Sequence, residues 1–149
     1  MKPLLSGVLA VGLLTGALTA QAQFQRPDDA VKYRQSALFM MGQHFGRVGA
    51  MANGRVPFDA AIAQKEMDVV MALAPLPWAG FTPETRDIRS RAQPNVWTEK
   101  AKFDEAGQNA LKSLTALDAA TKTGNLDAVR RAFAETAATC KACHDNFRN

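Results

Sequence analysis

Cys140-Lys141-Ala142-Cys143-His144, followed only by Asp145 to Asn149, is the most informative run in this 149-residue sequence. Two cysteines three positions apart, with histidine directly after the second, form the attachment signature of a c-type haem. The physical reason is reach. On a helix, positions i, i+3 and i+4 share one face, so Cys140, Cys143 and His144 lie together. The two thiols can bond the two vinyl groups of one porphyrin, and His144 can present a ring nitrogen to the iron as the proximal ligand. Other readings of the motif fit less well. A disulfide between residues this close is strained and leaves His144 unexplained. A thioredoxin-like pair wants a strand before a helix, and no strand pattern precedes it. A zinc site wants four ligands, and the chain offers one other histidine, His44, and no further cysteine.

Working back from the motif, Asn125 is a helix N-cap, and Leu126, Val129, Phe133 and Ala137 carry an apolar stripe into Cys140. Gly124-Asn125 breaks the preceding helix, which starts near Asn95 and carries Val96, Trp97, Phe103, Ala106, Ala110, Leu111, Leu114 and Leu117. Residues 75–94 form a long connection with four prolines, Pro75, Pro77, Pro83 and Pro94, and with Trp78 and Phe81 inside it. Before it, Pro57-Phe58-Asp59 opens a helix through Ala61, Ile62, Met67, Val70, Met71 and Leu73. The first helix starts at Pro27-Asp28-Asp29, where proline and acids suit the positive end of the dipole, runs from about Ala30 to Met51, and stops at Asn53-Gly54. Val31, Arg34, Gln35, Leu38, Met41 and Phe45 recur on one of its faces. Ala37, Phe39 and Met40 point elsewhere, so it is apolar over more than one stripe. No segment alternates with period two. The pattern predicts an all-α, antiparallel four-helix bundle with its covalent haem near the C-terminus.

The first 22 residues are set apart. Lys2, an apolar run from Leu4 to Leu18, and Ala20-Gln21-Ala22 as a cleavage site read as a secretory signal peptide. Residues 23–149 are then one domain, exported and soluble. No later run is long and apolar enough to span a bilayer. The formal charge is +4, of which Lys2 contributes one. No basic stripe interleaved with aromatics is present, which argues against nucleic acid as a partner.

The motif's position at the end of the last helix leaves no downstream methionine for a sixth iron ligand. In this the sequence resembles the cytochrome c′ family of class II c-type cytochromes. The likeness covers the chain after residue 22. It is most specific at Ala30-Val31-Lys32-Tyr33-Arg34-Gln35-Ser36-Ala37-Leu38, at Leu76-Pro77-Trp78-Ala79-Gly80-Phe81, and at Cys140 to Arg148. The resemblance implies one haem c per chain, held by Cys140 and Cys143, with His144 as axial ligand to a five-coordinate, high-spin iron. It implies nitric oxide and carbon monoxide binding, a role in electron transport with an unidentified redox partner protein, and a periplasmic homodimer. By the same resemblance Leu38 covers the distal face. Arg34 and Gln35 meet the haem edge and propionates, Arg148 lies by the proximal face, and Arg91 is the haem contact from the 82–94 loop.

The residues themselves lend support. An aliphatic cap shares its face with two polar groups, and a guanidinium suits a carboxylate such as a propionate. Met41, one turn from Leu38, is the candidate sixth ligand of an alternative, six-coordinate electron-transfer cytochrome, although methionine is more often gap-filling core. His44 follows Leu38 by six positions and reads as solvent-facing. A peroxidase would want a distal acid-base residue where Leu38 stands, so the chain does not read as an enzyme.

Overall fold

The computed structural model describes residues 23–149, and the signal peptide expected over 1–22 lies outside them. Four long helices make the bundle: α1 (Pro27–Ala52), α2 (Ala60–Leu73), α4 (Lys100–Lys122) and α5 (Leu126–Phe147), with a single turn, α3 (Asn95–Thr98), leading into α4. No helix among the described residues is long and apolar enough to cross a membrane. Round the bundle, α1 packs on α2, α2 on α4, α4 on α5 and α5 back on α1.

Local chemistry sets the ends. Asp59 caps α2 by accepting from the Ile62 amide at 2.9 Å, and Asn125 caps α5 by accepting from the Ala128 amide at 3.0 Å. Each such cap is worth about 1 kcal/mol. Gly54 and Gly124 leave their helices at φ of 69° and 66°, where a side chain is strained. One expectation about boundaries fails. The helix read as continuous from Asn95 breaks at Glu99, whose φ and ψ are −117° and 44°. Asn95 does not cap it; Pro94 holds the position before α3, and the Asn95 side chain donates to the Asn146 carbonyl at 2.8 Å.

The apolar stripes meet in two groups. Val48, Ala52, Met67, Val70, Leu114, Leu117 and Val129 fill the centre, with Met41, Phe45 and Phe133 packed against them. Full burial of a side chain such as Leu117 stabilises by roughly 1.5–3 kcal/mol. Gly49 has a packing reason: a Cβ there would sit 2.4 Å from the Phe133 ring, so its absence lets α1 and α5 close around that ring. The second group, Val96, Phe103 and Phe147, lies at the motif's end of the bundle and gathers Trp78, Phe81, Trp97 and Cys143.

The connection from 75 to 94 is packed, not idle. Two short 3-10 turns, Pro77–Gly80 and Pro83–Thr85, fold it onto α1. The Trp78 indole donates to the Ala74 carbonyl and the Trp97 indole to the Thr82 carbonyl, each at 2.9 Å. The end of the connection pairs with the end of α5. Gln93 donates its amide to the Phe147 carbonyl and Asn149 donates to the Arg91 carbonyl, both at 2.9 Å, so Ala92 and Arg148 form an antiparallel bridge.

Candidate haem site

Cys140, Cys143 and His144 occupy the last two turns of α5, which is held to α4 just upstream. Thr136 is fully buried, and its hydroxyl lies 3.0 Å from the Ser113 carbonyl on α4 and 2.8 Å from its own helix's Ala132 carbonyl. Both cysteines are half-buried free thiols. Burial pushes both thiols above their ordinary pKa, and the neighbouring Cys143 adds to the effect at Cys140. His144 keeps much of its surface exposed. Dehydration of its ring by the surrounding protein lowers its proton affinity, the charges of Arg148 and Arg91 lower it further, and Asp145 partly opposes them. The imidazole is thereby favoured in the neutral form that ligates a metal.

An aromatic wall stands beside the thiols. Phe103 meets Phe147, Phe81 and Trp78 edge-on, with ring centroids 5.3, 4.8 and 5.8 Å apart. Cys143 packs against this wall. A cleft of about 420 Å³ between α4 and α5 opens at Cys143 and is lined by Asn95, Lys102, Ala106, Ala142 and Phe147 among others. The Asn95 side-chain oxygen at its edge is buried without a hydrogen-bond partner. Two adjacent unpaired thiols, an imidazole favoured in its neutral form and an apolar aromatic wall together fit a covalently held, iron-containing macrocycle.

The remaining site residues divide between the cluster and its surroundings. Arg34 is not a solvated surface residue: it is 2% exposed. Its guanidinium donates to the Gly80 carbonyl at 2.6 Å, to the Thr85 hydroxyl at 2.9 Å and to the Ser90 hydroxyl at 3.1 Å, and it lies 4.3 Å over the Phe81 ring. Every one of these acceptors is neutral. Burial lowers its pKa to about 10, so it stays charged at neutral pH. Gln35 is exposed on the next position, and Leu38 is half-buried one turn along. Met41 packs into the central group, whereas Cys143 belongs to the other. His44 is not solvent-facing. Its Nδ1 lies 2.6 Å from Glu66 Oε2 on α2, with only 22% of its side chain exposed. The reason is that α2 crosses α1 at that level and supplies a carboxylate. Arg91 Nε donates to the Asn149 carbonyl at 2.5 Å, which sets Arg91 beside the exposed Arg148 at the end of α5.

The residues that sequence reasoning missed are Thr85, Ser90, Phe103 and Phe147, together with the Asn95–Asn146 link. Only Phe103 and Phe147 had a signal, as large apolar groups at helical spacing.

Comparison with known proteins agrees with this geometry. A sequence profile described as cytochrome c′ matches residues 29–148. Cytochrome c′ of Alcaligenes xylosoxydans xylosoxydans is 44% identical over 126 residues, covering 85% of this chain and 98% of that protein. The crystal structure of cytochrome c′ from Rubrivivax gelatinosus superposes with a TM-score of 0.82 at 43% identity, covering 85% of this chain and all of that one. A nitric oxide complex of a variant of the Alcaligenes xylosoxidans protein superposes with a TM-score of 0.80 at 42% identity, covering 85% and 98% of the two chains. With a Cys-x-x-Cys-His motif ending the last helix of a four-helix bundle, and a matching profile over nearly all the described residues, this chain belongs to the cytochrome c′ family and its cofactor is covalent haem c.

Proposed function

We propose that the protein is a periplasmic haem c protein whose iron has a single protein ligand, His144, and that it binds nitric oxide and carbon monoxide and exchanges electrons. The observation that carries this reading is the separation of Met41 from Cys143. Met41 fills the central core with Phe45, so its thioether is committed to packing away from the motif's own cluster. That also disfavours the six-coordinate alternative.

In this reading Cys140 and Cys143 hold the haem by thioethers. Leu38, with no polar group, keeps the distal side apolar. Arg148, bridged to Ala92 and acting electrostatically on His144, would serve the proximal side. Arg34 is the buried cation nearest in kind to what a propionate needs, with Gln35 exposed beside it. Arg91, bonded to the Asn149 carbonyl beside the end of α5, is the loop residue from which a haem contact would come. When bound, the haem supplies an iron that takes up diatomic gases and one electron at a time. Nitric oxide enters this proposal because a 42% identical relative was crystallised with it.

A homodimer completes the proposal. Phe39 and Met40 on α1 are 67% and 48% exposed, and Leu76 is 37% exposed. Met40 and Leu76 border one open groove between α1 and the end of α2. Ala37, expected with them on the outer surface, is buried.

The deciding experiment is an absorption and electron-spin spectrum of the ferric and ferrous protein, with and without nitric oxide. A high-spin iron that takes up nitric oxide is expected. A low-spin spectrum that nitric oxide leaves unchanged refutes the proposal. In the Cys140→Ala/Cys143→Ala double variant, acid-acetone extraction should remove all haem, whereas the parent retains it.

A further inference from the structure

The end of α5 is closed differently from those of α1 and α4. The last four carbonyls of a helix have no partner inside it. After α1 and α4 the chain reaches glycines at positive φ, Gly54 and Gly124, whose amides turn back to the Met51 and Thr121 carbonyls. No glycine follows α5, and Arg148 leaves it extended, at φ −136° and ψ 134°. Its free carbonyls find partners in a distant segment instead. Asn95 Nδ2 donates to the Asn146 carbonyl at 2.8 Å, and the Gln93 amide to the Phe147 carbonyl at 2.9 Å. One residue further, the Asn149 amide donates to the Arg91 carbonyl at 2.9 Å and Arg91 Nε to the Asn149 carbonyl at 2.5 Å. Residues 91–95 are therefore the C-terminal cap of α5, and His144 stands in the turn that they close.

The cap is itself anchored. Ser90 Oγ accepts from Arg34 at 3.1 Å and from the Ala92 amide at 3.3 Å, and Ala92 is the residue paired with Arg148. Val96, directly after Asn95, is 1% exposed and belongs to the same apolar group as Phe147. Asn95 carries a cost. Its Oδ1 is the one buried side-chain oxygen or nitrogen left without a partner among the described residues. Flipping the amide would set that oxygen against the Asn146 carbonyl, so the bond it gives holds it one way round. Alanine would remove the bond and the orphaned oxygen together, so stability alone does not call for asparagine here.

We propose that residues 91–95 form a clasp on the last turn of α5, with Asn95 as its positioning residue, and that opening of this clasp sets how readily His144 leaves the iron. This deepens the proposed function and rests on His144 being the iron's single protein ligand. The end of a helix opens far more easily than its middle. A ligand carried there is only as firmly seated as the cap beyond it, and this cap comes from another part of the chain. The groups that orient a metal ligand from behind tune its hold on the metal.

The test uses the haem-loaded protein. In Asn95→Ala, amide hydrogen exchange at Phe147 and Arg148 should quicken about tenfold, while the midpoint of urea unfolding stays close to the parent's. Nitric oxide weakens the iron bond opposite to it. Mixing the ferrous protein with excess gas in stopped flow therefore reads the rate at which His144 leaves, and this rate should also rise about tenfold. Asn95→Asp keeps the side chain's size but loses its donor, and should behave in the same way. The control is Asn125→Ala, which removes the cap at the other end of α5. It should quicken exchange at Ala128 and Val129 and leave Phe147, Arg148 and the departure of His144 unchanged. Unchanged exchange at Phe147 in the Asn95 variants overturns the clasp. So does a loss of His144 no faster than the parent's in either of them, or a control that speeds it as much. Absence of an iron–histidine stretching band from the Raman spectrum of the ferrous parent overturns the single-ligand reading itself, and the clasp with it.

Discussion

Arg34 on α1 lies 4.3 Å over the ring of Phe81, and from there its guanidinium ties three separate points of the 80–90 loop to the bundle. Gly80 permits this closeness: a Cβ at that position would stand 2.6 Å from the Ala30 carbonyl and 2.8 Å from Arg34 Cβ. Lysine has the charge but not the planar fork. Arg34→Lys should therefore lose the bond to the Thr85 or Ser90 hydroxyl, each of which keeps a backbone partner, and destabilise the protein by about 1–2 kcal/mol in urea unfolding. A loss below about 0.5 kcal/mol would show that the fork is not what holds the loop.

This relationship also marks the limit of what the sequence made legible. The helices were readable because their causes are local. Asp59 and Asn125 are caps within three residues of their acceptor amides, and Gly54 and Gly124 stop helices where they stand. The haem motif was readable for the same reason, since its spacing is its chemistry. Arg34 was readable as a candidate but not as a buried cation, because its acceptors lie 46 to 56 residues away. The His44–Glu66 bond depends on which face of α2 crosses α1, and the pairing of Ala92 with Arg148 on where the loop returns. The break at Glu99 carries no local signal, as Thr98-Glu99-Lys100 suits a helix well enough.

Glu66 should make stability depend on acid. Burial alone would raise its pKa, but hydrogen bonds from His44 and Arg47 and the charge of Arg47 outweigh that and hold it below the ordinary value of 4.5. An acid with a lowered folded pKa adds stability at pH above its unfolded pKa and loses it as pH falls through the folded one. Glu66→Gln should thus cost roughly 1 kcal/mol at pH 7 and almost nothing well below pH 4. Thermal melts of parent and variant from pH 3 to 7 check this; parallel curves across the whole range contradict it.

Met40→Glu should convert the proposed dimer to a monomer. Met40 is 48% exposed and borders the open groove with Leu76, so a carboxylate there costs the isolated chain little. Across a two-fold interface the same change places two like charges against apolar surface. Sedimentation velocity at micromolar concentration should give a dimeric mass for the parent and a monomeric mass for the variant, with unchanged helical circular dichroism. A monomeric parent removes the dimer from the proposal.

Leu38 decides how gases are sorted, if the iron is ligated by His144 alone. A distal leucine offers no hydrogen-bond donor. Dioxygen bound to iron carries partial negative charge and needs such a donor, whereas carbon monoxide and nitric oxide depend on it less. Weak or absent dioxygen binding is expected alongside retained binding of the other two. Any ligand must also displace the leucine from its contacts, each of which is worth little singly but many of which are lost together. Leu38 is half-buried in α1, one turn from Arg34 and one from Met41. Leu38→Ala should speed carbon monoxide association at least about tenfold, since about 1.4 kcal/mol of lost contact suffices for that factor. Stopped-flow mixing of the ferrous protein with carbon monoxide measures it, and the ferrous spectrum before mixing confirms that His144 is still the axial ligand. An association rate equal to the parent's would mean that Leu38 is not what the incoming gas must move, and the distal side would have to be sought on another face of α1.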